Sequence, residues 1–464
     1  MSDIDLIQPR HNCAPSFEES RLGHVYMPTS LLAVAARLLE CNVNVKIHDE
    51  NITPFVPTSN IIGMNLLGAP YIPVAINTQH ALDKEAASRT YILGGQVVNG
   101  LLPYQFRRLF GSQAINGNND KELAHALGIK KDLPLPEKTS LISAYRLISD
   151  DHMQKYLSGE FGLYVSQGCK FACDFCAAAR TFRDPVTGIM KRVQEVYRDA
   201  EMVHADLQYL IQKAKQFDIP YIQFYMSNLD VFQTQSALHQ FAQVVQSVRR
   251  QNSGYAVNFR GLATVESFLQ ARKSAPQTIE SLVDAGFNTV GFGVDGMTPQ
   301  VWRAVNKGMN TKDKCLEAIR SARKDFGITP EILMVFGHVG IDTPETLELA
   351  YEFTLDMVEK YGAVPRPHIA KSFIPGNNGW VSGHEKEIDI LLQHPESFAA
   401  LDFTALPSRL THPGDELRKL ASIYYRKICE IPGNTTLYLE PITPDMTPEQ
   451  VHAARLFNKR RYDR

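Results

Sequence analysis

Cysteine is scarce in this chain of 464 residues: there are seven, far too few for a disulfide scaffold. A charge of one sign is lacking as well. The 48 basic and 50 acidic residues leave a formal net charge of −2, without the basic excess typical of nucleic-acid-binding proteins. Residues 1–5 are acidic and lack the apolar core of a signal peptide. The most apolar stretch, residues 61–76, is broken by Asn65, Pro70 and Pro73 and is too short to cross a membrane. These absences predict a soluble protein of a reducing cytoplasm, in which clustered cysteines are thiols available to a metal.

The apolar pattern is typical of a parallel α/β protein, because short apolar runs alternate with helical patterns. Residues 1–127 contain five such runs and predict a doubly wound sheet. Residues 128–160 are charged and contain prolines, which predicts a connector. Residues 161–376 contain six runs and predict a partial or full α/β barrel, with catalytic groups at the carboxyl ends of its strands. Residues 377–464 carry further helical patterns, and we expect them to cap the mouth of the barrel.

The predicted barrel strands lie at residues 162–166, 221–225, 256–259, 289–294, 331–336 and 367–373. The helical patterns between them lie at residues 194–216, 235–250, 276–285, 299–323 and 344–361.

Three of the seven cysteines fall within eight residues: Cys169, Cys173 and Cys176, with the spacing C-x3-C-x2-C directly after a predicted strand. Three thiolates on one loop can hold three irons of a 4Fe–4S cluster, whereas a fully ligated cluster takes four cysteines. The fourth iron would keep an open coordination position, which is typical of a catalytic metal site. Structural zinc and a chance grouping of buried cysteines are the alternatives. Zinc is disfavoured because it usually takes two C-x2-C pairs, and the other cysteines are isolated: Cys13, Cys41, Cys315 and Cys429.

The segment 168–176, with Phe175 before the last cysteine, resembles the motif of the radical S-adenosylmethionine (SAM) enzymes. The resemblance extends over about residues 161–376. It implies a (β/α)6 barrel in which the three cysteines bind a 4Fe–4S cluster and the methionine end of SAM chelates the fourth iron. Electron transfer from the reduced cluster then cleaves SAM to a 5′-deoxyadenosyl radical. The resemblance also implies an electron donor such as flavodoxin or ferredoxin.

Other residues of the barrel match positions that contact SAM in this family. Ser227, Asn228 and Asp230 follow the second strand, where the family binds the amino group of SAM. Asp295 follows the fourth strand, where a carboxylate commonly contacts the ribose. Gly337 belongs to the turn after the fifth strand, near the adenine. From the residues alone, Asp295 equally fits a simple turn and Asn228 a cap.

The first unit resembles the cobalamin-binding domain of one radical SAM subgroup. Glycines at strand ends let the backbone approach a flat, bulky ligand, and our candidates for the cobalamin face are Gly68, Tyr71, Gly94, Gly95 and Gly117. Many cobalamin proteins carry D-x-H-x-x-G, whose histidine ligates cobalt. The loop after the first strand has His11 without this pattern, so we expect no histidine ligand from that loop. A degenerate flavodoxin-like domain used for packing or substrate binding is the alternative interpretation.

The leading hypothesis is a cobalamin-dependent radical SAM enzyme that methylates an unactivated carbon of a small metabolite or natural-product intermediate. By resemblance, one SAM methylates cob(I)alamin and a second yields the radical that abstracts a substrate hydrogen. The alternatives are a radical rearrangement without methyl transfer, radical chemistry without bound cobalamin, and a non-catalytic iron–sulfur or zinc protein. An RNA methylthiotransferase is rejected, because it needs three further cysteines in its first domain and only Cys13 and Cys41 precede the connector. The near-neutral charge argues against nucleic acid and favours a small-molecule or peptide substrate.

Overall fold

The computed structural model describes residues 3–10, 26–85, 89–171, 173–177, 182–183, 190–191, 195–432, 434, 436 and 438–462. The strands of the first sheet are β1 (Asp3–Gln8), β2 (Asn44–Asp49), β3 (Ile61–Asn65), β4 (Thr90–Gly94) and β5 (Ile115–Asn116). The helices up to residue 160 are α1 (Thr29–Glu40), α2 (Tyr71–Glu85), α3 (Gln96–Gly100), α4 (Pro103–Phe110), α5 (Asp120–Ala126), α6 (Ile142–Tyr145) and α7 (Asp150–Leu157).

The later strands are β6 (Glu160–Leu163), β7 (Ser166–Gln167), β8 (Phe182–Arg183), β9 (Met190–Lys191), β10 (Val196–Tyr197), β11 (Tyr221–Met226), β12 (Ala256–Thr264), β13 (Phe287–Gly293), β14 (Thr329–Phe336) and β15 (Val364–Ile369). The later helices are α8 (Ala200–Gln216), α9 (Gln235–Gln251), α10 (Val265–Ser274), α11 (Pro276–Asp284), α12 (Pro299–Ala304), α13 (Lys312–Asp325), α14 (Pro344–Tyr361), α15 (Glu385–Gln393), α16 (Asp415–Cys429) and α17 (Pro448–Tyr462). Short 3-10 helices lie at Pro136–Lys138, Asn378–Trp380 and Pro395–Leu401.

The first sheet has five parallel strands in the order β2-β1-β3-β4-β5. β3 is buried along almost its whole length, as expected for an apolar strand covered on both faces. β2 alternates instead, with Val45 buried between the exposed Asn44 and Lys46. The predicted doubly wound sheet is confirmed. Because its strands are parallel, the segments that follow them meet at one edge, which we call the first carboxyl edge.

The second sheet has six parallel strands that follow one another in chain order, β6-β11-β12-β13-β14-β15, and it curls into an open half-barrel. In β12, Val257 and Phe259 pack into the apolar core. Arg260 directly follows Phe259, so its side chain lies on the opposite face, where it pairs with Glu160 and Glu331. This confirms the predicted α/β barrel in its partial, six-stranded form. We call the end at which its strands finish the second carboxyl edge.

Several helices differ from the sequence pattern for local reasons. The pattern at 299–323 predicts one helix, but the chain forms α12 and α13, because Asn306 adopts a left-handed φ of +57° and Thr311 caps the second helix through the amide of Lys314. Helix α8 starts later than predicted, at Ala200, after strand β10. Helices α10 and α17 were not predicted.

The two sheets and the C-terminal residues pack into shared apolar cores. One core contains Leu32 of α1 together with Phe224 and Phe259 of the half-barrel. A second joins helices α2, α3 and α4 to the region around Trp380 and to Phe398. Since the apolar cores run across the unit boundaries, the division at residues 127, 160 and 376 stays a prediction. None of the described helices is both long and apolar enough to cross a bilayer.

Candidate cofactor-binding site

The cysteine loop, residues 168–177, follows β7 at the second carboxyl edge; its Ala172 lies outside the described residues. The backbone amide of Lys170 donates to Oε1 of Gln233 at 2.9 Å, and Nζ of Lys170 donates to the carbonyl of Gln233 at 2.9 Å. Further along, the amide of Asp174 donates to the carbonyl of Val305 at 3.2 Å. The loop is therefore fixed on two sides by segments that follow other strands of the half-barrel.

Two of the three thiols of this loop are buried, and all three lie within electrostatic reach of one another. Cys169 and Cys173 are 8% and 9% exposed. Burial raises the pKa of the Cys169 thiol to about 12 and that of Cys173 to about 11, and the neighbouring thiols, including Cys176, raise them further. Among the described residues, no three His, Cys, Asp or Glu side chains lie close enough together to hold a metal ion. Three thiols on one loop are still the donor set of an iron–sulfur cluster, and metal binding is what displaces their protons.

A buried ion pair lies beside the loop. Nζ of Lys307 pairs with Oδ2 of Asp295 and also donates to the carbonyl of Gly293 at 3.2 Å. It lies 5.9 Å from the centre of the Phe175 ring. Burial opposes the charge on Lys307, but Asp295 and the nearby thiol of Cys173 more than offset this and raise its pKa. The loop thus has a charged ion pair beside it, whose carboxylate belongs to the predicted site residue Asp295.

Ser227 and Asn228 follow β11, as the sequence predicts, but their side chains are engaged differently. The Ser227 hydroxyl donates to the carbonyl of Leu163 at 2.9 Å, which ties the end of β11 to the end of β6. Asn228 is 3% exposed, and its Oδ1 has no hydrogen-bond partner among the described residues. A buried polar atom without a partner is rare in folded proteins. Oδ1 of Asn228 is therefore a buried acceptor at this edge that the described residues leave unsatisfied.

Asp230 is committed to the protein itself. Its carboxylate accepts hydrogen bonds from the amide of Phe232, from the amide and hydroxyl of Thr264, and from the hydroxyl of Ser267. These bonds connect the loop after β11 to the start of α10. The carboxylate that the family resemblance suggests as a SAM contact here holds the backbone that carries Asn228.

Gly337 lies at the end of β14 with a φ of +83°, a left-handed conformation that favours glycine. A Cβ there would lie 3.0 Å from Cβ of Ala421. The carbonyl of Gly337 accepts a hydrogen bond from Nε2 of His412 at 2.9 Å, so that nitrogen carries the proton, and Nδ1 pairs with the Thr411 hydroxyl at 2.9 Å. Burial, then nearby Lys371, lowers the pKa of His412 to about 3, so the ring is neutral.

Two further buried groups at this edge escaped the sequence analysis. His368, in β15, has a buried Nδ1 without a partner among the described residues, and its ring lies 6.1 Å from that of Phe403. Burial lowers its pKa. Lys371 follows the same strand, is 1% exposed and donates to the carbonyl of Ala405 at 3.0 Å. Neither residue belongs to a local motif, so no sequence signal marks them.

The first carboxyl edge carries the glycines that the sequence analysis selected. Gly95 has a φ of +103°, and a Cβ there would lie 2.4 Å from the carbonyl oxygen of Leu66. Asn118 holds this turn, because its Oδ1 accepts from the Gly95 amide and its Nδ2 donates to the Gly95 carbonyl, both at 2.9 Å. A Cβ on Gly117 would lie 2.8 Å from Cγ2 of Ile92. Bare backbone is therefore required where β4 and β5 end.

The remaining candidates for the cobalamin face lie at the same edge. Gly94 ends β4, and Gly68 lies in the loop between β3 and Tyr71, the first residue of α2. Burial, and then the nearby Asp402, raises the pKa of the Tyr71 phenol. The loop with His11, on which the expectation about a cobalt ligand depends, lies outside the described residues.

Residues 163–350, which include most of the half-barrel, match the family model described as the radical SAM superfamily. No curated protein matches the chain. Among solved structures, the chain is similar to the radical SAM methyltransferase TsrM from Kitasatospora setae with cobalamin and a 4Fe–4S cluster bound. The TM-score is 0.62 at 13% identity, over 96% of this chain and 92% of that one.

A second similar structure is OxsB, described as a cobalamin-dependent SAM radical enzyme, with aqua-cobalamin and SAM bound. The TM-score is 0.57 at 16% identity, over 87% of this chain and 57% of that one. At these identities the likeness shows a shared fold: a doubly wound sheet, a parallel half-barrel and a helical C-terminal part.

Proposed function

We propose that this protein is a cobalamin-dependent radical SAM enzyme that methylates an unactivated carbon of a small molecule. The observation that carries the proposal is the C-x3-C-x2-C loop at the carboxyl edge of a radical SAM domain, with three neighbouring thiols and the unpartnered Oδ1 of Asn228 at the same edge. When bound, a cluster supplies the electron that cleaves SAM, and cobalamin supplies a carrier for a methyl group.

The chain's own residues then bind and orient. Cys169, Cys173 and Cys176 would hold three irons and leave the fourth for the methionine end of SAM. Oδ1 of Asn228 would accept a hydrogen bond from the SAM amino group, which satisfies an atom that is buried without a partner. Asp230 would keep the loop that carries Asn228 in place, in contrast to the direct contact that the resemblance implies.

The other side of the SAM site would be formed by the segments after β13 and β14. Asp295 would accept from the ribose hydroxyls, with its carboxylate oriented by Lys307. The turn at Gly337 would lie against the adenine, held there by His412. A neutral His412 is suited to this, because it fixes the turn without adding charge beside the base.

Cobalamin would lie on the first carboxyl edge. The backbone at Gly68 and Gly94 would let a flat ligand approach, and Tyr71 would add an aromatic ring next to it. Gly95 and Gly117 would keep the ends of β4 and β5 packed in place at this edge. TsrM, which shares the fold, is described as a methyltransferase and has also been solved with a tryptophan substrate and a SAM analogue. This supports a small-molecule substrate and methyl transfer here. A flavodoxin or ferredoxin would supply the electron.

The test is anaerobic reconstitution with iron, sulfide and cobalamin. We expect about four irons and one cobalamin per chain, and release of 5′-deoxyadenosine when SAM and a reductant are added. Cys173→Ala should lose most of the iron and the 5′-deoxyadenosine. The matched control is Cys41→Ala, at the end of α1, which should retain both. Full iron content in Cys173→Ala would overturn the cluster site, and a wild-type protein that binds iron but no cobalamin would overturn the cobalamin part.

A further inference from the structure

The two carboxyl edges are connected by a backbone contact that leaves no room for a side chain. Helix α3 begins directly after Gly95, on the first carboxyl edge, and ends at Gly100. A Cβ on Gly100 would lie 2.2 Å from the carbonyl carbon of Pro375 and 2.3 Å from the amide nitrogen of Gly376. Real Cβ atoms do not approach backbone so closely. The end of α3 therefore rests directly on the chain that follows β15.

A third segment completes this contact. Gly376 has a φ of +106°, and a Cβ there would lie 3.0 Å from Cβ of Ala177 and 3.7 Å from Cα of Gly100. Ala177 is the residue after Cys176, and it is buried in the same core as Val97 and Val98 of α3. Gly100, Pro375, Gly376 and Ala177 thus form one junction, which we call the glycine junction. At a rise of about 1.5 Å per residue, the five residues of α3 place it roughly 7.5 Å from Gly95.

Two side-chain hydrogen bonds support the glycine junction. Nδ2 of Asn378 donates to Oδ1 of Asp174 in the cysteine loop at 3.0 Å. Nε1 of Trp380 donates to Oε1 of Gln105 in α4 at 3.0 Å, and the indole is 1% exposed. The segment after β15 is therefore held to the cysteine loop on one side and to the first unit on the other.

We propose that Gly100 is a positioning residue: the glycine junction sets the separation and angle between the first carboxyl edge and the cysteine loop. This inference rests on the proposed function, which places cobalamin on one side of the junction and the cluster on the other. Two groups that act on one substrate need a fixed separation, and a displacement of about 1 Å can reduce a rate on the order of 100-fold. A glycine is required because any side chain would wedge the two edges apart.

The test compares Gly100→Ala with Gly414→Ala in the protein reconstituted with iron, sulfide and cobalamin. Gly414 has a φ of −72°, and a Cβ there meets nothing within 4 Å, so this variant is the matched control. Electron paramagnetic resonance of the reduced cluster together with cobalt(II) measures their magnetic coupling, which falls with the cube of their separation. We expect unchanged iron and cobalamin contents in both variants, a weaker coupling in Gly100→Ala, and the wild-type coupling in Gly414→Ala.

The outcomes separate this inference from the proposed function. A wild-type protein that takes up no cobalamin overturns the proposed function. A wild-type coupling in Gly100→Ala, with both groups bound, overturns the inference and leaves the proposed function standing. If Gly100→Ala does not fold, Asn378→Ala decides: loss of its bond to Asp174 should broaden the distribution of couplings, and an unchanged spectrum contradicts the positioning role.

Discussion

Lys371 gives a quantitative test of the C-terminal packing against the half-barrel. It is 1% exposed, and burial lowers its pKa from 10.5 to about 7 although Asp402 opposes the shift. At about 1.4 kcal/mol per pH unit, keeping the buried amine charged costs roughly 5 kcal/mol. Lys371→Met keeps the unbranched apolar stem and removes the amine. After loss of about 1 kcal/mol for the hydrogen bond to the carbonyl of Ala405, the free energy of unfolding should rise by roughly 3–4 kcal/mol at and below pH 7.

The pH dependence has a definite sign. Between the folded pKa of about 7 and the unfolded value of 10.5, the unfolded chain binds the Lys371 proton and the folded chain does not. The wild type therefore gains stability with rising pH relative to Lys371→Met, by up to about 1.4 kcal/mol per pH unit. The advantage of the variant is fully present below pH 7, shrinks across this window and is lost above pH 10.5.

The assay is urea unfolding of both proteins at several pH values, followed by circular dichroism. Lys360→Met is the matched control, because Lys360 is exposed and pairs with Asp356 one helical turn away. Its effect on the free energy of unfolding should be much smaller than that of Lys371→Met and show no comparable slope with pH. A Lys371→Met protein that is less stable than the wild type at pH 6 would refute the reasoning, since it would mean that the buried amine has a counter-charge that compensates its burial.

Two further predictions concern the half-barrel. Glu331 accepts hydrogen bonds from Arg260 and Arg366 and is 1% exposed. Glu331→Gln should therefore lower the free energy of unfolding by about 3 kcal/mol in urea titrations. A loss below about 0.5 kcal/mol would contradict a structural ion network. Asn228→Leu should weaken SAM binding to the cluster-loaded protein about tenfold in calorimetry, an effect of about 1.4 kcal/mol, without loss of stability, because Oδ1 has no partner to lose. Asp230→Ala is the contrasting variant: it should cost about 3 kcal/mol of stability, and equal stability losses in the two variants would contradict their separate roles.

Much of the fold follows from local sequence patterns. Strands buried on both faces require nearly continuous apolar runs, as in β3, and strands with one wetter face alternate, as in β2. The break between α12 and α13 was not predicted, because a left-handed φ at Asn306 ends a helix without interrupting its apolar period. Apolar patterns predict which residues are buried better than they predict the positions at which the backbone turns.

The candidate site contains residues that a local spacing marks and residues that only the packing of distant segments brings together. The three cysteines could be selected as candidate cluster ligands because they lie within eight residues of one another. His412 meets Gly337, and Lys371 meets Ala405, only through the packing of distant segments, and no spacing in the sequence records such contacts. Gly100 could not be selected from the sequence either, since only the approach of residues 375–376 makes a glycine necessary there.

Asp230 shows the limit of a motif read without a structure. Its position after the second barrel strand suggests a ligand contact, yet four donors from Phe232, Thr264 and Ser267 occupy its carboxylate. A short polar motif does not distinguish a side chain that contacts a ligand from one that fixes the loop. The hydrogen bonds that each oxygen accepts in the structure make this distinction.

The proposed chemistry requires that three protein sulfurs hold the cluster and leave one iron for SAM. Electron–nuclear double resonance of the reduced, reconstituted protein tests it directly when SAM carries nitrogen-15 in its amino group. We expect a nitrogen-15 hyperfine coupling to the cluster, which is absent when unlabelled SAM is used. Full iron content and saturating SAM with no nitrogen-15 coupling would show that every iron already has its ligands from the protein, and the proposed chemistry would fall.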